Sequence, residues 1–476
     1  MNSRELEIQL LKSFALNPTS DQQKAINHIS RFHTSEKENP AYILKGYAGT
    51  GKTSILGAYV KTLAISGQKF VLMAPTGRAA KVLSAYTGKT AHTIHRYIYF
   101  IVTASSGVPR VTLGKNKLQN TVFIVDEASM ISDSSQNNEG GFSGRSLLDD
   151  LIEYVFSSSG NKIVLVGDTA QLPPVGLNIS PALDFEYLKG AYNITAHSFE
   201  MKEVMRQSLD SGILFSATSL RNKLREENPS LPMLSLDGFK NDVKIISDGE
   251  DFNEILQQTF YDAGESKGVL ICRSNKRANI FNQQIRSAIL QKESEIESGD
   301  ILMVVKNNYF WLEKTSKAGF IANGEMMEIL RVIKIEDLYG FRFAEAEIRL
   351  LDYPEEQEFT VKLLLDTIMI DGPGLNGEDR NRLFENVLED YQDIPQRRQR
   401  VAKVMVNPYF NALHVKFAYA MTCHKTQGGQ WPTVILDQGW LNDEMINIEY
   451  LRWLYTAFTR STNKLYLINF REDFFE

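Results

Sequence analysis

Between Gly46 and Thr53 the chain reads Gly-Tyr-Ala-Gly-Thr-Gly-Lys-Thr, which satisfies the spacing GxxxxGK[ST] at every required position. Gly46, Gly49 and Gly51 let the main chain wrap closely around a ligand. The amides of Ala48 and Thr50, at the start of a helix, supply partial positive charge. That combination suits phosphate. Lys52 is placed to reach the β- and γ-phosphates of a nucleotide, and Thr53 to set its hydroxyl on Mg²⁺. Tyr42-Ile43-Leu44 before the loop has the apolar character of a buried strand, and Ser54–Val60 after it continues as a helix.

Three further segments supply groups that nucleotide hydrolysis needs. Asp126-Glu127 closes the apolar run Thr121–Val125. There Asp126 would hold Mg²⁺ through water, and Glu127 would orient and deprotonate the attacking water. Gly167-Asp168-Thr169-Ala170-Gln171 follows the run Lys162–Val166 and puts an amide, Gln171, where a γ-phosphate could be sensed. Arg206 and Arg460 could place positive charge on the equatorial oxygens of a transferring phosphoryl group. A lone arginine is more often a solvated surface charge. ATP and Mg²⁺ are the cofactors this set calls for.

These side chains need a scaffold of strand ends. Short buried-type strands separated by helices imply parallel sheets with ligand at their carboxyl ends. Lys69–Met73, Thr121–Val125 and Lys162–Val166 belong to a first such unit, residues 1–204, interrupted at about 91–119 by a hairpin from Tyr97–Phe100 and Val108–Leu113. A second unit takes residues 205–298 and 406–476, with Val269–Cys272, Thr433–Leu436 and Lys464–Ile468 as strands. Between its halves, 299–405, short β-like runs read as a small barrel, followed by a charged helical stretch from Glu378 to Met405. Thr19 or Ser20 can cap a helix through Gln22, which is either part of a plain surface helix or an amide for the adenine edge.

A chain of 476 residues has room for several domains, and its net charge of −6 argues against coating nucleic acid while leaving room for a local basic channel. Cys272 and Cys423 have neither metal-type nor disulfide-framework spacing, so both read as small buried hydrophobes in a reducing setting. The start, Met-Asn-Ser-Arg-Glu, lacks a signal core, and no apolar run is long enough to span a bilayer. The expectation is a cytoplasmic monomer without a membrane partner.

In order and spacing, GYAGTGKT, APTGRAA, VDEASM, GDTAQLPPVG, EVMRQ, TCHKTQG and YTAFTRS resemble the motifs of superfamily 1 helicases, most closely the RecD and Dda type of the 1B branch. The resemblance implies an α/β fold of two RecA-like P-loop domains, a β-hairpin insert in the first and an SH3-like β-barrel insert in the second. It also implies ATP between the domains and 5′-to-3′ translocation on single-stranded DNA with duplex unwinding. Residue by residue, it makes Gln22 the adenine contact, Gln171 the γ-phosphate sensor, and Arg206 and Arg460 the arginine fingers. It assigns strand contacts to Pro75, Thr76, Gly77, Thr93 and His95 in the first lobe. In the second lobe it assigns them to Ser274, Asn275, Thr422, His424, Lys425, Thr426 and Gln427. The hairpin takes the place of the strand-separating pin. Single-stranded and forked DNA, and a replication or recombination protein, are the partners implied. Two other readings stay open from the residues themselves: an ATP switch that remodels a partner on DNA without unwinding, and an RNA helicase of the same superfamily.

Overall fold

The structure, a computed structural model, describes the chain apart from residues 1, 15, 104–108, 135–145, 206–210, 227–231, 235–241, 263–266, 313–315, 317–319, 354–355, 373 and 476, and apart from the side chains of 101–103 and 109–110. Arg206 and most of the polar Ser132–Gly144 segment therefore lie outside the described residues.

Two helices, Ser3–Ser13 and Ser20–His33, precede the first strand. The second starts with a reciprocal cap: the Thr19 hydroxyl accepts from the Gln22 amide, and the Gln22 side chain accepts from the Thr19 amide. The strands of the first lobe are β1 (Pro40–Gly46), β2 (Phe70–Ala74), β3 (Ala91–Thr93), β4 (Tyr99–Thr103), β5 (Pro109–Leu113), β6 (Val122–Val125), β7 (Lys162–Gly167) and β8 (Thr195–Met201). All but β4 and β5 form one parallel sheet in the order β3-β2-β6-β7-β1-β8. Its central strands are buried on both faces, which is why they read as unbroken apolar runs.

β4 and β5 pair separately as an antiparallel hairpin. Its start differs from the sequence expectation. Tyr97 lies in a short helix, Ile94–Ile98, with its ring edge-on to Phe123 and Tyr154, so the strand begins at Tyr99. Core packing of the Tyr97 ring outweighs its β-type local character.

The second lobe carries β9 (Val243–Ile246), β10 (Gly268–Cys272), β16 (Ala420–Thr422), β17 (Trp431–Asp437) and β18 (Ser461–Ile468), all parallel, in the order β16-β10-β17-β18-β9. Inserted between β10 and β16, strands β11 (Ile301–Val304), β12 (Met326–Leu338), β13 (Phe341–Leu350), β14 (Phe359–Leu364) and β15 (Leu413–Phe417) close a barrel. The insert thus runs past residue 405. Leu413–Phe417 pairs with β11 and β14, because its fully buried alternating residues complete the barrel wall before the chain returns to the sheet at Ala420.

The charged stretch after β14 is two helices, Gly377–Glu389 and Arg397–Met405, broken between them. Leu383, Val387 and Val404 pack on Phe341 and Phe343 at the far end of the β12–β13 hairpin. Asn386 donates to the Tyr339 carbonyl at its turn at 2.9 Å. The extension is a cover for that hairpin. Tyr309 stacks on Phe320, and Trp311 donates to the Asn411 carbonyl at 2.8 Å, so both are built into the barrel region. Among the described residues no helix is long and apolar enough to cross a membrane.

Candidate nucleotide site and strand cleft

β1 delivers the loop, and Gly49 and Gly51 take φ of +76° and +86°, a region that favours glycine. A Cβ on Gly51 would also meet the Gln22 amide nitrogen at 2.3 Å. That amide donates to the Thr50 carbonyl at 2.9 Å, while its oxygen accepts from Thr19. Gln22 is 1 % exposed. It braces the P-loop from behind, where the sequence reading had it facing adenine; the helix cap draws it inward.

Lys52, at the start of the helix Lys52–Ile65, donates to the Gly46 and Tyr47 carbonyls at 2.6 and 3.2 Å, and its Nζ lies 3.8 Å from Asp168. Its charge is folded back into the loop that phosphates would enter. Asp126 accepts from the Tyr86 hydroxyl at 2.7 Å and from the Glu127 amide at 2.9 Å. Glu127 sits at φ +53°, turning its side chain out of the strand line. Burial pushes the pKa of both carboxyls up. For Asp126, the hydrogen bonds and Lys52 pull the other way; for Glu127, Arg460 and Lys52 do. A carboxylate whose proton affinity is raised by burial is suited to taking a proton.

Gln171 is buried, and its side-chain oxygen has no partner among the described residues. Arg460 is 3 % exposed and, among the described residues, is held by the Thr456 and Gly429 carbonyls and the Thr459 hydroxyl. No carboxylate neutralises it at ion-pair distance among the described residues, so its charge is available to the site.

Tyr455, quoted in the sequence only as part of a motif, joins the lobes. Its hydroxyl accepts from the Ala48 amide of the P-loop at 2.7 Å and donates to Asp168 at 2.7 Å. Burial and the Asp168 charge push its pKa up, keeping it a neutral donor. One helix turn supplies a second bond, from the Leu172 amide to the Thr456 hydroxyl at 2.8 Å. The signal was present, five residues before Arg460, but nothing local distinguishes a bridging tyrosine from a core one.

These groups fit a magnesium nucleotide. The loop offers an N-terminal helix dipole and a lysine, the Ala48 amide already holds an oxygen, and Asp126 is a hard oxygen donor near enough to Lys52 to feel its charge.

On the neighbouring face a cleft of about 600 Å³ brings both lobes and the barrel together. Pro75, Thr76, Thr93 and His95 line one side, and His424, Lys425 and Gln427 the other. Lys306 and Asn307 of the barrel close it. Burial lowers the pKa of His95 to about 4, so it faces the cleft neutral. Burial, then Lys416, lowers that of Lys425 to about 8.

Several expected contacts are otherwise engaged. Thr76, Thr93 and Ser274 each accept a backbone amide as N-caps, from Ala79, Arg96 and Arg277. Thr426 is fully buried and donates to the Cys423 carbonyl. Gln427 donates to the Leu172 carbonyl at 2.6 Å, a contact between lobes. Gly77 is buried against Glu325, and Ser274 and Asn275 stand outside the cleft. Thr422 lines a smaller adjoining pocket of about 310 Å³ with Arg273 and His424. The lobes also touch directly: Arg78 lies 3.9 Å over the Trp431 ring, and a Cβ on Gly428 would come 2.8 Å from that of Ala79.

With this geometry in hand, comparison with known proteins places the chain. Residues 17–229 match the AAA domain family and residues 417–468 the UvrD-like helicase C-terminal domain family. The two matches fall on the first lobe and the start of the second, and on the last strands of the second lobe.

It is 32 % identical over 181 residues to the ATP-dependent RecD2 DNA helicase of Deinococcus radiodurans, covering 37 % of this chain and 21 % of that one. It is 25 % identical over 299 residues to the ATP-dependent DNA helicase dda of Enterobacteria phage T4, covering 60 % of each. The chain therefore spans about a fifth and three fifths of these two relatives. A solved structure of Pif1 helicase from Bacteroides in complex with ADP-AlF3 and ssDNA aligns with a TM-score of 0.47 at 15 % identity, over 97 % of this chain and 95 % of that one.

Proposed function

We propose that this protein is an ATP-dependent DNA helicase that moves 5′-to-3′ on single-stranded DNA and opens duplex, driven by Mg-ATP hydrolysis between its two lobes. The observation that carries this reading is the Tyr455 bridge. An amide of the P-loop and a carboxylate of the first lobe both bond a hydroxyl of the second lobe. Phosphate entering that loop competes for the Ala48 amide, so nucleotide occupancy and lobe contact are one equilibrium. The same two lobes line the cleft suited to a strand.

In this reading Lys52 and the loop amides hold the phosphates, and Thr53 and Asp126 hold Mg²⁺, which screens phosphate charge. Glu127 orients the attacking water and takes its proton, Gln171 senses the γ-phosphate, and Arg206 and Arg460 neutralise developing charge. His424 and Lys425 grip strand phosphates from one lobe, and the helix start capped by Thr76 does so from the other. The β4–β5 hairpin, with Phe100 exposed at its base, splits the duplex.

The test is ATP turnover with no polynucleotide, with single-stranded DNA and with single-stranded RNA, followed by forked substrates of each polarity. Stimulation by DNA and unwinding only of forks with a 5′ tail is expected. Turnover indifferent to both polymers would sink the helicase reading, and equal use of RNA would move it to that substrate.

A further inference from the structure

Arg221 lies in the last turn of the helix Gly212–Lys223, whose Ile213, Ala217 and Leu220 are buried in the second-lobe core with Leu451 and Tyr455. Its side chain leaves that core toward the first lobe and lies 4.8 Å over the ring of Tyr47, inside the P-loop. The residue is 8 % exposed, yet its Nε and Nη1 have no acceptor among the described residues. The neighbouring Arg225 shares the same ring at 5.4 Å and donates to the Tyr47 hydroxyl at 3.4 Å. That hydroxyl in turn donates to Glu200 at 2.8 Å, which fixes the ring.

A guanidinium stays charged when buried, and burying it without a counter-charge is strongly unfavourable. A ring face offsets only part of that and satisfies none of the N–H groups. Two forked donors without acceptors, on a fixed platform in a phosphate-binding loop, describe half of an anion site. We propose that Arg221 binds phosphate oxygens of the nucleotide held by the P-loop, as a second-lobe contact beyond Arg206 and Arg460. Phosphates of a nucleic-acid strand share this chemistry, but neither Arg221 nor Tyr47 lines the strand cleft. The inference rests on the nucleotide reading of the site. It adds that Tyr47, an aromatic at a variable position of the loop pattern, is the platform that aims the arginine.

The experiment measures the affinity of the full chain for Mg–AMP-PNP and, separately, for a single-stranded DNA oligomer. Arg221→Met keeps length and apolar packing but removes the donors. With an unchanged melting temperature, it is expected to weaken AMP-PNP about 10- to 100-fold, as loss of charge-assisted hydrogen bonds does, with DNA affinity within twofold. Arg221→Lys keeps the charge without the fork and is expected to recover part of the loss, which a purely packing role would not predict. If Arg221→Met lowers the melting temperature, Arg221→Lys at wild-type stability decides: affinity within twofold of wild type overturns the proposal. AMP-PNP affinity unchanged in a folded Arg221→Met overturns it too, whatever happens to DNA. Lys52→Ala in the same assay separates the two levels. Loss there without loss at Arg221 keeps the nucleotide reading and discards this one, while a wild-type protein that binds no AMP-PNP discards both.

Discussion

The nucleotide site and the strand cleft are built from the same pair of lobes by opposite means. At the nucleotide site the polar groups bond one another across the gap, with Tyr455 on Ala48 and Asp168, and Lys52 folded onto its own loop. Each of these bonds occupies an atom that a ligand would use. In the cleft, the hydroxyls of Thr76 and Thr93 are turned inward to cap helices, and what the first lobe presents beside the neutral His95 is the helix start that Thr76 caps. The first site must exchange partners to work. On the proposed reading the second would meet strand phosphates without such an exchange, as suits contacts that do not read sequence.

That contrast can be broken most sharply at Lys52. Lys52→Ala is expected to lower DNA-stimulated ATP turnover by roughly 10²–10³-fold while leaving single-stranded DNA affinity in the absence of nucleotide unchanged, measured by steady-state hydrolysis and fluorescence anisotropy. Parallel loss of both would mean the two sites are not separable.

Tyr455→Phe addresses the exchange itself. It strips a donor from buried Asp168 and an acceptor from the Ala48 amide, so the nucleotide-free protein should lose about 1–3 kcal/mol. The freed amide should meanwhile make the nucleotide-induced rise in melting temperature larger than in the wild type. Thermal unfolding with and without AMP-PNP reads both, and a smaller rise would show that Tyr455 helps to hold the nucleotide.

At the cleft, Thr76→Ala should cost about 1 kcal/mol of stability through the lost cap. Thr76→Asp should restore the cap and the melting temperature yet weaken strand binding, because it adds a negative charge where phosphate would lie. If Thr76→Asp bound DNA as well as the wild type, strand phosphates would not approach that helix start.

The smallest effect expected is with pH. The lowered pKa of Lys425, about 8 in the folded chain, lies below its ordinary value, near 10.4 in an unfolded chain. The unfolded state therefore holds more protons between these values, and this group's contribution to stability rises with pH across that window. Strand affinity should move the other way, falling severalfold as pH rises through 8 and the ammonium discharges. Lys425→Arg, which stays charged, should flatten the profile between pH 7 and 9 in anisotropy titrations.

The contrast also explains what the sequence disclosed. Phosphate-binding and acidic residues were legible because they are contiguous: Gly46 to Thr53 is one turn, and Asp126-Glu127 is one strand end. The two parallel sheets followed from their apolar runs, and the barrel from β11, β12 and β13. β15 was not legible, because Leu413–Phe417 carries the same apolar pattern whether it closes a barrel or extends a sheet. Nor were Tyr455 and Arg221, whose meaning lies in contacts with residues hundreds and about 170 positions away. The hydroxyls of Thr76, Thr93 and Ser274 were assigned to the strand although their helices claim them first, a competition that spacing does not reveal.

Gly428 sets a mechanical limit on all of this. At φ +72°, it presses against Ala79 and Thr76 with no room for a methyl group. The two lobes therefore meet here at a stop whose thickness is one hydrogen atom. The proposed motor, advancing by opening and closing a gap, needs a reproducible closed position, and a side chain at residue 428 would hold the lobes apart there.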